Sequence, residues 1–501
     1  MNTKILAAVA LLSVQAGIAQ QKKNHVLIHP GDTEKDIIAK AANIVPSPRQ
    51  LRWQQLELTT FFHFGVNTFT DREWGNGKED PQLFNPTALD AAQWVKTVKA
   101  AGFKQVIITA KHHDGFCLWP TNTTSHSVKS SPWKQGRGDV VKEVAEACKK
   151  YKVGFGVYLS PWDRNAASYG TDAYNDFFVE QLTELLTQYG PVDEVWFDGA
   201  NGEGPNGKKQ VYDFNRYYGV IRKLQPAATI AIMGPDVRWV GTESGKGREM
   251  EWSVVPADEN MLQKIADESQ QEVAFAPAGD KTAQDLGSRE KISTAKGLVW
   301  YPAETDVSIR PGWFYHAKED DKVKSPRRLV DIYFSSVGYN SVLLLNIPPD
   351  KRGLLADPDV NSLEGFRQLI QQTFDRNLAK GATISAQNGV NTKALLDGKY
   401  NTYFTTRSND TTTSIELTLP AAITCNILSL QENITVGQRI EKFSAEYFDG
   451  AQWKPFTAGT TVGYKRLLRF DAITTKKIRL KILSSRLNPA LSELGLYKLA
   501  Q

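Results

Sequence analysis

Cysteine is scarce: Cys117, Cys148 and Cys425 are the only three in 501 residues. They are odd in number and show no metal-ligand spacing, so all three are expected as free, buried thiols with no disulfide framework. Charge of one sign is scarce too. A formal net charge of +5 and a pI near 8.8 are mild for this length, and no Lys/Arg block is dense enough for a nucleic-acid tract, so no nucleic-acid partner is expected. There is no internal repeat and no low-complexity tract. The apolar run "ILAAVALL" after Lys4 is too short to span a bilayer, which argues against membrane insertion. It leads into "GIA", ending at Ala19 before the polar "QQKKN", the small-x-small pattern of signal-peptide cleavage. Residues 1–20 are therefore expected to be an export signal and the protein to be periplasmic or secreted. No cysteine follows the run to carry a lipid anchor.

What is present is aromatic. Twelve Trp, 17 Tyr and 22 Phe suggest aromatic-lined pockets beside an aromatic core. The length argues two or three domains. From about residue 50 to 350 short apolar runs alternate with amphipathic helical stretches, the signature of an α/β fold. "TTFFHFG" is followed by the helix "DAAQWVKTVKAAG", "KQVIITAKHHDG" by "DVVKEVAEACKKYK", "GFGVYLSPWD" by "NDFFVEQLTELLTQYG", and "EVWFDGA" by "QVYDFNRYYGVIRKLQ", before "ATIAIMGPD". Five strands in order, four with crossover helices, point to a parallel (β/α)8-like barrel over residues 21–355. In its later part "REMEWSVV" and "GLVWYPAE" are weaker strand candidates and "GDKTAQDLGSREKIS" reads as an exposed loop. "SPRRLVDIYFSSVGYN" reads as a helix before the closing strand "SVLLLNIPPD". "SLEGFRQLIQQTFDRNL" supplies a connecting helix within residues 356–380. Short Thr-rich alternating runs over residues 381–501 argue an antiparallel sandwich.

Each barrel strand carries its unusual polar residues at its C-terminal end: His63 on the first, His112, His113 and Asp114 on the second, Tyr158 and Trp162 on the third, Asp198 on the fourth. A parallel αβ barrel builds its active site on that face. A strand-capping role for Asp198 alone is ordinary turn chemistry; the repetition over four strands favours function. Zn²⁺ ligation by the histidines is disfavoured, because neighbours on a strand face opposite sides and H-x-H would be the stronger pattern. A sugar pocket fits better, with ring nitrogens donating to hydroxyls and aromatic faces covering the sugar. Glycoside hydrolysis needs two carboxyl groups. Asp198 offers a nucleophile, and "VRWVGTESG" places Glu243 near Trp239 and between glycines, where desolvation favours the acid form.

Together the motifs resemble glycoside hydrolase family 29, the retaining α-L-fucosidases. "FFHFGVNTF", "REWGNG", "ITAKHHDGFCLWPT", "GVYLSPWD", "VDEVWFDGA", "GPDVRWVGTESG" and "GYNSVLLLNIPPD" follow the family order across the barrel. The resemblance implies that Asp198 forms a covalent fucosyl-enzyme intermediate. It implies that His63, Glu73, Trp74, His112, His113, Tyr158, Trp196 and Arg238 contact the sugar. Glu243 resembles the acid/base of the subgroup acting on branched α-1,3- and α-1,4-linked fucose, with Thr242 where that subgroup has Asn. "YLSPWDRN" and "IRPGWFYH" (Ile309 to His316) resemble the same subgroup. Trp313 is the member expected against substrate, while His316 reads equally as an ordinary loop residue. The C-terminal region, with "ALLDGKYNTYFTT" and "SELGLYKL", resembles a discoidin-like galactose-binding sandwich. Such domains often hold a structural Ca²⁺ near an Asp-Gly turn, here Asp397 to Asn401. The chemistry itself needs no metal or organic cofactor. The implied function is an exo-acting retaining α-L-fucosidase acting on fucosylated oligosaccharides or glycoconjugates. A broad-specificity fucosidase, a metal-dependent hydrolase and a non-catalytic fucose-binding lectin remain as alternatives.

Overall fold

In the computed structural model, which describes residues 24–257, 283–407 and 409–500, eight parallel strands form the barrel. They are β1 (Leu58–Phe62), β2 (Gln105–Lys111), β3 (Gly154–Leu159), β4 (Glu194–Phe197), β5 (Thr229–Ile232), β6 (Arg238–Trp239), β7 (Ala303–Ser308) and β8 (Val342–Asn346). Their order around the sheet is β5-β4-β3-β2-β1-β8-β7-β6. A single parallel bridge, Ala231 to Val237, joins β5 to β6 and closes the ring. The export segment expected at residues 1–20 lies outside the described residues, as do residues 279–282 of the expected loop.

Strand alternation divides the side chains into two cores. Val106, Ile108, Val157, Val195 and Phe197 point outward into the helical layer. Phe61, Ile107, Tyr158, Trp196, Ala231 and Leu344 fill the interior. The outer helices include α1 (Ala91–Ala100), α2 (Val140–Tyr151), α3 (Ala173–Gln188), α4 (Phe214–Leu224), α5 (Pro326–Ser335) and α6 (Asp357–Phe374). Aspartate caps begin three of them: Asp90, Asp139 and Asp213 each accept a backbone N–H of the first turn at 2.8–3.0 Å. The connector helix α6 buries Leu363 and Phe366 in the same core as the barrel helices. The three cysteines are buried and unpaired.

Two strand expectations are corrected. Val254–Pro256, from "REMEWSVV", and Gly297–Trp300, from "GLVWYPAE", pair antiparallel with each other, and Gly297–Trp300 also with His25–Leu27, in a small sheet outside the barrel. Val254, Leu298 and Trp300 pack there against Ile37 and Ala41. The barrel instead takes Arg238–Trp239 and "AETDVS" as its sixth and seventh strands. Residues 289–293, read as loop, form a short helix capped by Ser288.

The C-terminal domain is antiparallel. Its strands β9 (Thr383–Ala386), β10 (Thr413–Glu432), β11 (Ile440–Phe448), β12 (Trp453–Gly459), β13 (Arg466–Ser485) and β14 (Leu491–Tyr497) run in the order β9-β10-β13-β11-β12, with β14 added on β10. Register shifts after Thr418 and Cys425 interrupt the ladder of the long β10. Ile415, Leu417, Leu428, Leu480 and Leu494 lie in the core of this domain. Gln438 joins it to the barrel domain, donating to Glu251 O at 2.9 Å and accepting from Ser253 N at 2.7 Å. Among the described residues no helix is long and apolar enough to cross a membrane.

Candidate active site

All eight strands deliver their C-terminal ends to one mouth. Because Val195 and Phe197 face the helices, Glu194, Trp196 and Asp198 face the interior. Asp198 Oδ2 accepts from the Tyr158 hydroxyl at 2.9 Å and Oδ1 from Ala200 N at 2.8 Å. His113 Nε2 lies 3.8 Å from Oδ2, and 26% of the Asp198 side chain stays open to solvent. Burial and the Asp198 charge push the Tyr158 phenol well above its ordinary pKa, so it remains a donor. Its ring stacks on Trp196, centroids 5.2 Å apart and planes 18° apart.

Burial keeps His63, His112 and His113 neutral, and the protons of His63 and His113 can be placed. Asn346 Nδ2 donates to Ser308 Oγ at 2.9 Å and to Trp313 O at 2.7 Å. Its Oδ1 therefore faces His63, accepting from the backbone N at 3.2 Å and from Nδ1 at 2.8 Å. Burial lowers the His63 pKa to about 4, which leaves Nε2 as a bare acceptor. Ser160 Oγ spends its hydrogen on Trp162 O at 2.6 Å and so accepts from His113 Nδ1 at 2.7 Å. Burial also lowers the His113 pKa, and its Nε2 is a second acceptor. His112 lies nearly parallel to Tyr158 and 4.1 Å from His113. Burial holds it neutral as well. His63 and His113, expected to donate to a ligand, are thus arranged to accept from it.

Four indole nitrogens at the mouth and along the barrel interior donate to carboxyl groups. Trp313 Nε1 donates to Glu243 at 3.1 Å, Trp239 to Asp306 at 2.6 Å, Trp196 to Glu304 at 2.7 Å, and Trp53 to Glu194 at 3.0 Å. Glu194 and Glu304 each keep one buried oxygen without a partner. Burial raises the pKa of all four acids, that of Glu194 to about 8. For Glu243, at the solvent-open rim, the charges of Asp198 and Glu73 add to burial, and the Trp313 bond opposes them. Asp198 and Glu243 are thus near enough to act on each other, one accepting two hydrogen bonds and the other biased toward its acid form. That is the division of roles between two carboxyl groups used in glycosyl transfer to water.

Residues 49–372 match the family model described as alpha-L-fucosidase. The chain is also 43% identical to alpha-L-fucosidase 1 of Arabidopsis thaliana over 90% of its own length and 87% of that protein's. It belongs to the α-L-fucosidase family. Among solved structures, one from Bacteroides ovatus assigned as an α-L-fucosidase is 53% identical, with TM-score 0.85, covering 95% of this chain and 78% of that one. A Ruminococcus gnavus GH29 fucosidase in complex with fucose is 32% identical, with TM-score 0.81 over 91% of this chain and 95% of that one.

The structure of this fucosidase, a glycoside hydrolase, gathers most of the expected site. His63, His112, His113, Tyr158, Trp196 and Asp198 share the mouth, and Trp74, 54% exposed, stands edge-on to His113 at 5.3 Å. Trp162 lies tilted against His113 at 5.0 Å and edge-on to Trp74 at 5.4 Å. Glu243 and Trp313 meet on facing loops. Glu73 is turned to the loop after β7: its oxygens accept from Trp313 N at 2.7 Å and Phe314 N at 3.2 Å. Arg238 is corrected. It is fully buried, ion-paired with Glu251 and bonded to Tyr301 O, on the face of β6 opposite Trp239. One step along a strand exchanges inside for outside, so Trp239 takes the pocket side. Asp306 and Glu304 were missed. Their spacing of two in "AETDVS" puts both on one face, and that alternation was the available signal.

Proposed function

We propose that the enzyme is an exo-acting retaining α-L-fucosidase that releases terminal α-1,3/1,4-linked fucose from branched glycans. The observation that carries this reading is the pairing of Asp198, presented as a hydrogen-bonded carboxylate at a strand end, with Glu243, whose acid form is favoured in the same mouth. Asp198 attacks the anomeric carbon while the Glu243 carboxyl protonates the departing glycosidic oxygen. The Glu243 carboxylate then takes a proton from water as that water attacks the same carbon, and the Asp198 ester bond breaks. His63 and His113 accept hydrogen bonds from sugar hydroxyls. Trp74 and Trp313 at the rim suit a second sugar beside fucose, which supports the branched-glycan reading. The experiment is twofold. The first-formed anomer from an aryl α-L-fucoside, read by NMR, is α for retention; a β product overturns the mechanism. A Lewis-type trisaccharide has a much higher kcat/KM than an α-1,2-linked fucoside, and equal values would make the enzyme broad in specificity.

Export to the periplasm or the exterior is proposed on the N-terminal signal pattern alone. A structural Ca²⁺ is proposed at the turn of Asp397 to Asn401. One oxygen donor there supports this reading: Glu493, beside the turn, has a buried Oε1 without a partner, and burial together with the Asp397 charge pushes its pKa up to about 7, while Asp397 already accepts from Lys399 N and the Thr402 hydroxyl. Asp397, Glu493 and backbone carbonyls of the turn would hold the ion.

A further inference from the structure

The loop that follows β7 meets the segment after β1 through a cluster of polar contacts. His316 lies between two carboxylates, Nδ1 to Asp71 Oδ1 at 2.6 Å and Nε2 to Glu73 Oε1 at 2.7 Å. Both acceptors come from the segment after β1, so the imidazole bridges two βα loops across the mouth. Glu73 in turn receives Trp313 N and Phe314 N, and Trp313 Nε1 bonds Glu243. Gly312 lets the two loops approach: a Cβ there would stand 2.5 Å from Glu73 Oε1 and 3.0 Å from His316 Cδ2. An unbroken chain of contacts therefore runs from Asp71 through His316, Glu73 and Trp313 to the proposed proton donor.

We propose that Asp71, His316 and Glu73 form an ionic latch that positions Trp313 and, through it, Glu243, and that the latch holds while the imidazole carries both protons. His316 and Asp71 are positioning residues, remote from the reacting atoms. Two ring N–H groups are needed to serve two carboxylates, so a neutral ring drops one of the bonds. Burial opposes the charged ring, but the bonds to Asp71 and Glu73 outweigh it and raise the His316 pKa. Other charges nearby are already committed. Arg310, 3.5 Å from His316 O, pairs with Asp359 and Asp320; Glu319 Oε2 accepts Gly312 N at 3.1 Å; Lys318 and Lys351 act on Asp71. Two groups facing the loop are left to titrate, Glu243 and His316, and of these only His316 bridges Asp71 and Glu73.

The inference rests on Glu243 being the proton donor, and its test separates the two. Protection of the Trp313 and Phe314 amides against hydrogen exchange is measured against pH for the full chain, for Asp71→Asn and for His316→Gln. In the parent, protection falls as pH rises through the His316 titration. Asp71→Asn, at a half-exposed position, moves that fall to lower pH, and His316→Gln shows protection about tenfold lower throughout, the scale of one charge-assisted bond. Unchanged protection in both variants overturns the latch. In parallel, His316→Gln loses kcat on an unactivated glycan, which needs acid assistance, and keeps it on an aryl fucoside with an acidic phenol. An open loop with unchanged kcat on both substrates overturns the link to Glu243. Glu243→Gln on the same two substrates tests the donor alone: an equal loss on both removes Glu243 as donor, whatever the loop does.

Discussion

Replacing Glu194 by Gln is expected to stabilise the enzyme, and to do so only at higher pH. Glu194 is wholly buried at the start of β4, and burial moves its pKa from 4.5 to about 8. The folded protein thus keeps a proton that the unfolded chain has lost. Stability contributed at this site is intact below pH 4.5, falls as pH rises toward 8, and is flat beyond. At about 1.4 kcal/mol per pH unit the window amounts to about 5 kcal/mol. The amide introduced by Glu194→Gln would retain an oxygen to accept from Trp53 and Gln105 and would place an N–H where Glu194 Oε1 now lacks a partner. Unfolding entropy near 2.1 cal/mol/K per residue gives about 1 kcal/mol/K for 501 residues. The Tm of Glu194→Gln should then match the parent at pH 5 and exceed it by about 4 °C at pH 8.5, read by scanning calorimetry. A difference that is constant, or that shrinks with pH, refutes an uncharged Glu194.

Arg238→Met should cost about 3 kcal/mol, because it strips a buried carboxylate, Glu251, of a guanidinium; chemical denaturation measures it, and kcat/KM of the folded fraction should be unchanged. Trp313→Phe removes the 3.1 Å bond to Glu243 and should lower kcat about tenfold on a glycan with a poor leaving group, with a smaller loss on an activated aryl fucoside. Chelation with EDTA should lower the Tm through the C-terminal domain and leave aryl-fucoside hydrolysis at low temperature unaltered; inhibition of the chemistry itself would refute a purely structural ion.

The barrel was legible where its strands are continuous apolar runs. "KQVIITAK" and "DEVWFDGA" each read as a buried parallel strand ending in polar groups, and each stands so. It was illegible where apolar character misleads. "GLVWYPAE" is more hydrophobic than "AETDVS", yet the first is the central strand of a small outer sheet and the second is the barrel strand. Glu304 and Asp306 are tolerated inside because Trp196 and Trp239 donate to them, a pairing between residues about 70 to 110 positions apart that local pattern cannot carry. Arg238 was assigned to the wrong side because register within a two-residue strand decides its face. His316 had no local signal at all, since its partners lie at Asp71 and Glu73.

The bridge of Ala231 to Val237 that closes the barrel has an evolutionary meaning. Asp198 hangs from a strand laddered on both flanks, Glu194 to Trp196 with β3 and Glu194 to Phe197 with β5. Shifting it would break two ladders. Glu243 follows a strand of two residues at the seam, held by one bridge on one side and two residue pairs on the other. Beyond Trp239 only isolated backbone bonds follow, Val240 N to Glu304 O at 2.8 Å and Gly245 N to Asp306 O at 3.2 Å, so insertions or deletions between them break no ladder. The fold therefore fixes the proposed nucleophile and holds the proposed proton donor by fewer backbone bonds, so that descendants of such a barrel can exchange the second acid more readily than the first.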